Sequence, residues 1–137
     1  QNRSAIPPFP AHAISMPSYQ FQSPSKQRST CPICRGLEIL GDKWTLLIIR
    51  DLLIGKRRFK EFLQSEEGIT TNILTDRLNR LIKCEIAEKR LSEEDSRYPE
   101  YVLTARGKEL KSLLGELIKW SMKHVEGSNL PKGTPWS

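Results

Sequence analysis

The residues with the clearest potential for chemistry are two cysteines in a CxxC spacing, Cys31 and Cys34. A zinc site needs two further ligands, and only the distant His12 and His124 could supply them, so the sequence predicts no metal site. Cys31 falls at the start of a predicted helix, whose dipole stabilises a thiolate, and Arg35 follows one turn later. Cys31 is therefore a redox candidate. The alternative is a half-buried cysteine that packs against its own helix.

A second possible chemistry is the recognition of an anionic polymer. The chain of 137 residues has a formal net charge of +6, and residues 43–60 hold six basic side chains against the single acid Asp51. Three of those cations, Lys56, Arg57 and Arg58, form a basic link that could follow a phosphate backbone. This local excess of positive charge favours a nucleic acid as partner.

The predicted helix that Thr70 caps has a polar face of the kind that reads DNA. If Leu74 and Leu78 face the core, helical periodicity points another set of residues outward. That set is Asn72, Asp76, Asn79 and Lys83, with Thr75 and Arg80 on its flanks. Asn can pair with adenine edges, Thr can contact a thymine methyl, and Lys or Arg can reach guanine or phosphate. An ordinary solvated helix face is the alternative.

Other functional classes find little support in the sequence. It contains no glycine-rich phosphate loop, no close Cys–His pair and no paired carboxylates in apolar surroundings. We therefore expect no enzymatic activity and no cofactor. The sequence has no run of apolar residues long enough to span a bilayer, no signal peptide and an odd number of cysteines. These features predict a cytoplasmic protein without a membrane partner.

A folded unit in the middle of the chain must position these side chains. Residues 1–29 are rich in Pro, Ser and Gln and predict an extended or disordered tail. Met16 is a candidate native initiator, so residues 1–15 could be an addition. Residues 30–126 form the predicted domain, and residues 127–137 form a second tail that opens with Gly127 as a helix stop.

The pattern of apolar residues predicts helices first and then a hairpin. The predicted elements are a helix capped by Thr30 that runs from Cys31 or Pro32 to Leu40, a buried helix over 43–54, a short helix around Phe59 and Phe62, a helix capped by Thr70, strands at 86–91 and 98–103, and a long helix over about 105–125 capped by Thr104. The fold class is mainly α (α+β). We predict a winged helix-turn-helix with a two-stranded β-wing and flanking dimerisation helices.

Two surfaces complete the sequence-based prediction. Three consecutive acids, Glu93 to Asp95, disfavour DNA contact at the tip of the wing, so any contact there is assigned to Lys89, Arg90 or Arg97. The last helix carries an apolar stripe wider than one small domain can cover, and a two-fold partner would bury it. The predicted dimer residues are Leu110, Leu113, Leu114, Leu117, Trp120 and Ser121.

Several motifs in one order resemble the HxlR-type winged-helix transcriptional regulators, in the MarR-like superfamily. They are Cys31-Pro32, Gly41-Asp42-Lys43-Trp44, Arg58-Phe59, Leu74-Thr75-Asp76-Arg77-Leu78, and Glu100-Tyr101-Val102-Leu103-Thr104 with Gly107. The resemblance covers about residues 31–125 without an evident gap. Two features depart from the family pattern: the wing loop lacks prolines, and Asp76 places an acid in the middle of the reading face.

The resemblance implies a homodimer that binds a palindromic operator in double-stranded DNA. The residues assigned to DNA are Lys56, Arg57, Arg58, Thr70, Thr71, Asn72, Thr75, Arg77, Asn79, Arg80, Lys89 and Arg97. Cys31 matches the position at which some family members carry a redox-sensing cysteine, so an oxidant or a small molecule is a candidate effector. The alternative function is a winged helix that docks a protein without direct DNA readout.

Overall fold

The computed structural model describes residues 28–130 and 133–136. The predictions for residues 1–27, including Met16, lie outside that part of the chain. The described elements, in chain order, are α1 (Pro32–Leu40), α2 (Thr45–Ile54), α3 (Phe59–Leu63), α4 (Thr71–Lys83), β1 (Ala87–Leu91), β2 (Pro99–Leu103), α5 (Ala105–Lys108) and α6 (Leu110–His124). This order confirms the predicted winged helix-turn-helix.

The first helix begins at Pro32, one of its two predicted starts, whereas the second begins two residues later than predicted. The N-cap of α1 is Cys31 rather than Thr30, because Pro32 occupies the first turn. The backbone N–H of Cys31 donates to Ser29 Oγ at 3.1 Å. At the next helix, the Asp42 carboxylate accepts the N–H groups of Trp44 and Thr45 at 3.0 and 3.1 Å, so α2 starts at Thr45.

The helix-turn-helix itself forms as the sequence predicts. Gly68 lies in the turn between α3 and α4 with φ +70, a conformation that glycine adopts without strain. Thr70 caps α4, since its Oγ1 accepts the Ile73 N–H at 3.3 Å. The most fully buried side chains come from α2, α3 and α4, and they are Ile49, Phe62, Leu74, Leu78 and Leu81. The apolar face of α4 is therefore fixed against the core, which also fixes its polar face.

The wing is a two-stranded antiparallel sheet attached to this core. β1 and β2 pair from Ala87 opposite Leu103 to Leu91 opposite Pro99. Tyr101 is buried and meets Phe62 edge to face, with ring centroids 6.3 Å apart. The Tyr101 N–H also donates to the Arg57 carbonyl at 2.8 Å, so the basic link runs beside β2.

The predicted last helix is divided in two at Glu109. Thr104 caps the first part as expected, accepting the Gly107 N–H at 3.1 Å. Gly107 is needed there because a Cβ at this position would lie 2.1 Å from the Ile86 carbonyl oxygen. The start of α5 therefore packs closely against the base of the wing.

Part of the predicted C-terminal tail packs against α6. Trp136 packs against the core and donates its indole N–H to the Lys111 carbonyl at 2.8 Å, and Thr134 is buried. The helix before it ends at His124, before Gly127. Across residues 28–130 and 133–136, no helix has the length and apolar character that a membrane crossing requires.

Candidate nucleic-acid interface

The outward face of α4 has the arrangement that the periodicity predicts. Leu74, Leu78 and Leu81 are buried, whereas the opposite side of the helix is exposed. The exposed residues are Thr71, Asn72, Thr75, Asp76, Asn79 and Lys83. The Thr75 hydroxyl donates to the Thr71 carbonyl at 2.9 Å within the helix, so its methyl group is the part best suited to contact a base. One helix thus presents two amides, a methyl group and an ammonium group to the same side.

Arg77 does not belong to this face, although the sequence analysis assigned it to DNA. Its Nε donates to Asp42 Oδ2 at 2.8 Å, and its guanidinium also bonds Asp76. The same Asp42 carboxylate caps the start of α2 through Trp44 and Thr45. Arg77 therefore ties the reading helix to α2. Arg80 is half-buried on the flank of α4.

The bond between Asp42 and Arg77 makes the free energy of unfolding depend on pH in the acidic range. Partial burial alone would raise the pKa of Asp42, but hydrogen bonds from Thr45, Arg77 and Trp44 outweigh it and lower the pKa to about 2. This carboxylate therefore stabilises the folded state above the ordinary pKa of about 4, and the contribution disappears as the pH falls through about 2.

We expect Asp42→Asn to lower the free energy of unfolding at pH 7 by about 1 kcal/mol, a modest value because solvent screens the partly exposed pair. The difference from the unsubstituted protein should shrink between about pH 4 and pH 2. Urea unfolding at several pH values measures it. Glu66→Gln, at an exposed position, is the control. A difference that does not vary with pH would contradict the charged role of Asp42.

Two of the six cations counted near the basic link are used inside the fold. Asp51 is only 3% exposed. Its carboxylate lies 2.9 Å from Arg50 Nη2 and 3.5 Å from Lys56 Nζ. Arg50 also pairs with Glu67 at 2.8 Å, which lowers the pKa of Glu67, and Lys56 donates to Ser65 Oγ at 2.7 Å. The predicted phosphate contact of Lys56 is therefore replaced by a network that holds the end of α2 to the helix-turn-helix turn.

The other two cations of the link contact the wing. Arg58 Nη1 donates to the Tyr98 carbonyl at 2.8 Å, and Arg57 lies 3.9 Å from Glu100. The local charge of residues 43–60 therefore overstates what faces solvent. Lys60, on α3, is exposed, and the sequence analysis counted it without assigning it to DNA. The one sequence signal that could have suggested Lys60 as a DNA contact is its position in the basic segment 43–60.

Three wing cations lie at the surface. The Lys89 ammonium lies 6.0 Å from the Tyr101 ring centroid, and Arg90 on the same strand is exposed. Arg97 is 79% exposed by its side chain but forms a bidentate pair with Asp95, at 3.0 and 3.1 Å. That pairing neutralises one of the three acids at the tip of the wing.

The predicted dimer residues separate into two groups on α6. Leu113, Leu117 and Trp120 are 46%, 47% and 59% exposed, whereas Leu114 is buried in the core of its own chain. Leu110 and Ser121 are half-buried. Leu114 is therefore unavailable to a partner, and we correct its assignment. Ile33 and Leu37 add a second exposed apolar pair on α1, at helical spacing.

Cys31 is exposed at the N-terminus of α1, while Cys34 is half-buried and Cys84 is buried as expected. The backbone N–H groups of Cys34 and Ile33 lower the pKa of the Cys31 thiol. The lowering of this pKa comes from the backbone, and not from the Arg35 side chain that the sequence had suggested as a contributor. Among the described residues, no cluster of His, Cys, Asp and Glu could hold a metal ion.

The fold and the exposed polar face of α4 define a helix-turn-helix regulator of transcription. The chain belongs to the HxlR-like helix-turn-helix family, whose sequence model matches residues 39–129. An HTH-type transcriptional regulator of Mycobacterium tuberculosis H37Rv is 31% identical over 123 residues, or 90% of this chain and 71% of that protein. YodB of Bacillus subtilis, also an HTH-type transcriptional regulator, is 33% identical over 88 residues, or 64% of this chain and 79% of that protein.

Solved structures of similar proteins indicate the same family and fold. The reduced form of the transcriptional regulator YodB from Bacillus subtilis has a TM-score of 0.60 and 29% identity, covering 74% of this chain and 100% of that chain. The redox regulator HypR in its oxidized form has a TM-score of 0.63 and 27% identity, covering 70% and 99%. All of these relatives are named as regulators, and YodB and the mycobacterial protein are named as regulators of transcription. They confirm the predicted family and fold.

Proposed function

We propose that the protein binds duplex DNA sequence-specifically, as a homodimer on a palindromic operator. The observation that carries this proposal is the exposed polar face of α4 opposite a fully buried apolar face. The N-terminal part of a recognition helix meets base edges in the major groove. Asn72 and Thr75 occupy that part of α4, and Lys83 at its C-terminal end is placed for the flanking phosphates.

The dimer follows from the apolar stripe of Leu113, Leu117 and Trp120 on α6, together with Ile33 and Leu37 on α1. Exposed apolar side chains at helical spacing on two helices suit burial against a second copy. A two-fold axis would then place two α4 helices about 34 Å apart, one turn of duplex, so that they enter successive major grooves.

The test is selection of genomic fragments by the purified protein, followed by sequencing. We expect enrichment of a palindrome whose half-site centres lie about 10 base pairs apart, since each half-site would take one α4. Enrichment of single, unrepeated half-sites would contradict the dimer. Capture of no DNA fragment above background would contradict DNA binding and favour a winged helix that docks a protein.

We further propose that oxidation of Cys31 changes operator affinity. Cys31 is exposed beside Ile33 on α1, at the edge of the proposed dimer surface. Added polar bulk or a cross-link there would displace the dimer helices, and a shift of about 1–2 Å at such an interface can move the two reading helices out of register. The named redox regulator HypR shares the fold, which supports the proposal without supplying the chemistry.

We expect mild peroxide or quinone treatment to lower operator affinity in the unsubstituted protein and leave Cys31→Ser unaffected, with recovery on addition of thiol. Titration of a labelled operator measures it. Cys34→Ser is the matched control, and it also reports whether Cys34 acts as a resolving thiol. Equal loss in the unsubstituted protein and in Cys31→Ser would place the effect elsewhere. No loss in either would contradict a sensing role for Cys31.

A further inference from the structure

An acidic side chain, Asp76, lies on the exposed face of α4 that the proposed complex turns toward the bases. It is the sixth residue of this helix of 13 residues and follows Asn72 by about one turn, and both side chains are exposed. The N-terminal part of a recognition helix is the part that contacts base edges in the major groove. The sequence-based set of DNA contacts omits Asp76, although its position places it beside Asn72.

The carboxylate of Asp76 is held by a neighbouring cation. Its Oδ2 accepts a hydrogen bond from Arg77 Nη1, and Arg77 is fixed in turn by its bond to Asp42 Oδ2 at 2.8 Å. The side chain of Arg77 is 20% exposed, whereas that of Asp76 is 57% exposed. Arg77 therefore offsets part of the negative charge from a less exposed position, which reduces the repulsion between Asp76 and DNA phosphates.

The same bond orients Asp76 before any DNA is bound. In the part of the chain that the structure describes, Arg77 donates the hydrogen bond to Asp76, and this bond ends on Oδ2. Oδ1 therefore keeps its lone pairs for a donor outside the chain. A side chain that is already held loses less conformational entropy on binding, so more of the free energy of a base contact is available for recognition.

An ionised carboxylate only accepts hydrogen bonds, and this restricts the bases that Asp76 can contact. In the major groove guanine presents two acceptors, and thymine presents an acceptor and a methyl group, so neither offers a donor. Adenine offers its N6 amino group, but its acceptor N7 lies beside that group and repels a carboxylate. Cytosine offers its N4 amino group without an acceptor of its own on that edge, and it is therefore the base that suits Asp76 best.

We propose that Asp76 determines specificity by accepting a hydrogen bond from the N4 amino group of one cytosine in each half-site. This inference rests on the proposed function, because it requires α4 to lie in the major groove. The contact selects in two ways, since it adds a hydrogen bond with cytosine and places a carboxylate against the acceptors of guanine or thymine. A mismatch at this step therefore loses a bond and gains a repulsion.

The test is selection from a random duplex library with the full chain, unsubstituted and as Asp76→Ala and Asp76→Asn. The unsubstituted protein should prefer cytosine by about tenfold or more at one symmetric position of the palindrome. We expect Asp76→Ala to lose this preference at that position alone, and Asp76→Asn to shift it toward adenine, whose N6 and N7 an amide can bond together. Glu66→Gln, which removes an acid from the exposed turn before α4, should leave the base profile unchanged.

A second measurement removes the donor from the DNA instead of the acceptor from the protein. Replacement of the selected cytosine by 2-pyrimidinone, which lacks the 4-amino group, should weaken binding of the unsubstituted protein about tenfold more than binding of Asp76→Ala. Anisotropy titrations of the four combinations give this coupling. The weaker base pair is common to both proteins, so its effect cancels.

Three results would overturn the assignment: a cytosine preference that survives in Asp76→Ala, an equal change of affinity for all sequences in that variant, or no coupling to the 4-amino group. An equal change would make Asp76 an ion-pair partner of Arg77 only. Binding of palindromic DNA with an unchanged base profile in Asp76→Ala would contradict this inference alone. Absence of any DNA binding by the unsubstituted protein would contradict the proposed function as well.

Discussion

Replacement of Leu117 by glutamate should convert the proposed dimer into a folded monomer. Leu117 is 47% exposed on α6, so the isolated chain can solvate a carboxylate there without unfolding. In a two-fold interface the same carboxylate would be buried against apolar neighbours, twice per dimer, at a cost of several kcal/mol for each charge. Dimerisation should therefore weaken by more than about 1,000-fold.

Sedimentation velocity at micromolar concentration measures the change, with circular dichroism to confirm that the helices remain. Operator affinity should fall by more than about 100-fold, since one α4 helix alone makes half of the contacts. Ser112→Glu adds the same charge on the opposite side of α6, and it should remain dimeric. A monomeric unsubstituted protein at this concentration, or a dimeric Leu117→Glu, would contradict the assigned interface.

Substitution of Asn72 by alanine should lower the discrimination between operators, because an amide that bonds a base edge would be lost. The expected cost is about 1–3 kcal/mol, confined to one base step in each half-site. Thr75→Ala should behave similarly at a neighbouring step through the loss of its methyl group. Both positions are exposed on α4, so neither substitution should change the free energy of unfolding appreciably.

Lys83→Ala is the matched control that separates phosphate contacts from base contacts. It lies on the same face of α4 and should weaken all DNA sequences about equally, while it lowers the slope of log affinity against log salt by roughly one. Competition titrations with operators changed one base pair at a time separate the two kinds of effect. If Asn72→Ala and Lys83→Ala give the same pattern, the division into base and phosphate contacts is wrong.

Local sequence signals predicted most of the fold because they act within a few residues. The cap at Thr70, the turn at Gly68 and the apolar spacing of Leu74 and Leu78 place α4 and its polar face without reference to the rest of the chain. The break at Glu109 could not be predicted in this way. The close approach of Gly107 to the Ile86 carbonyl was not predictable either, because it joins distant parts of the sequence.

The sequence was less able to show which cations are available for DNA, because ion pairs form between residues that are distant in the chain. Arg77 pairs with Asp42 across 35 positions, Arg50 with Glu67 across 17, and Arg58 bonds the Tyr98 carbonyl across 40. A count of charge along the sequence cannot separate such side chains from those that remain free for DNA. The same limit applies to Leu114, whose place in the stripe gave no indication that it faces its own core.

The measurement that tests the central claim most directly is the salt dependence of binding to duplex DNA. A protein that uses about six phosphate contacts should show log affinity falling with log salt at a slope near −5, and a palindromic duplex should keep a large advantage over random sequence. Fluorescence anisotropy between about 50 and 300 mM salt covers the needed range. A steep slope with preference for the palindrome is the predicted result. An affinity that is indifferent to salt, or equal for palindromic and random duplexes, would contradict sequence-specific DNA binding through α4.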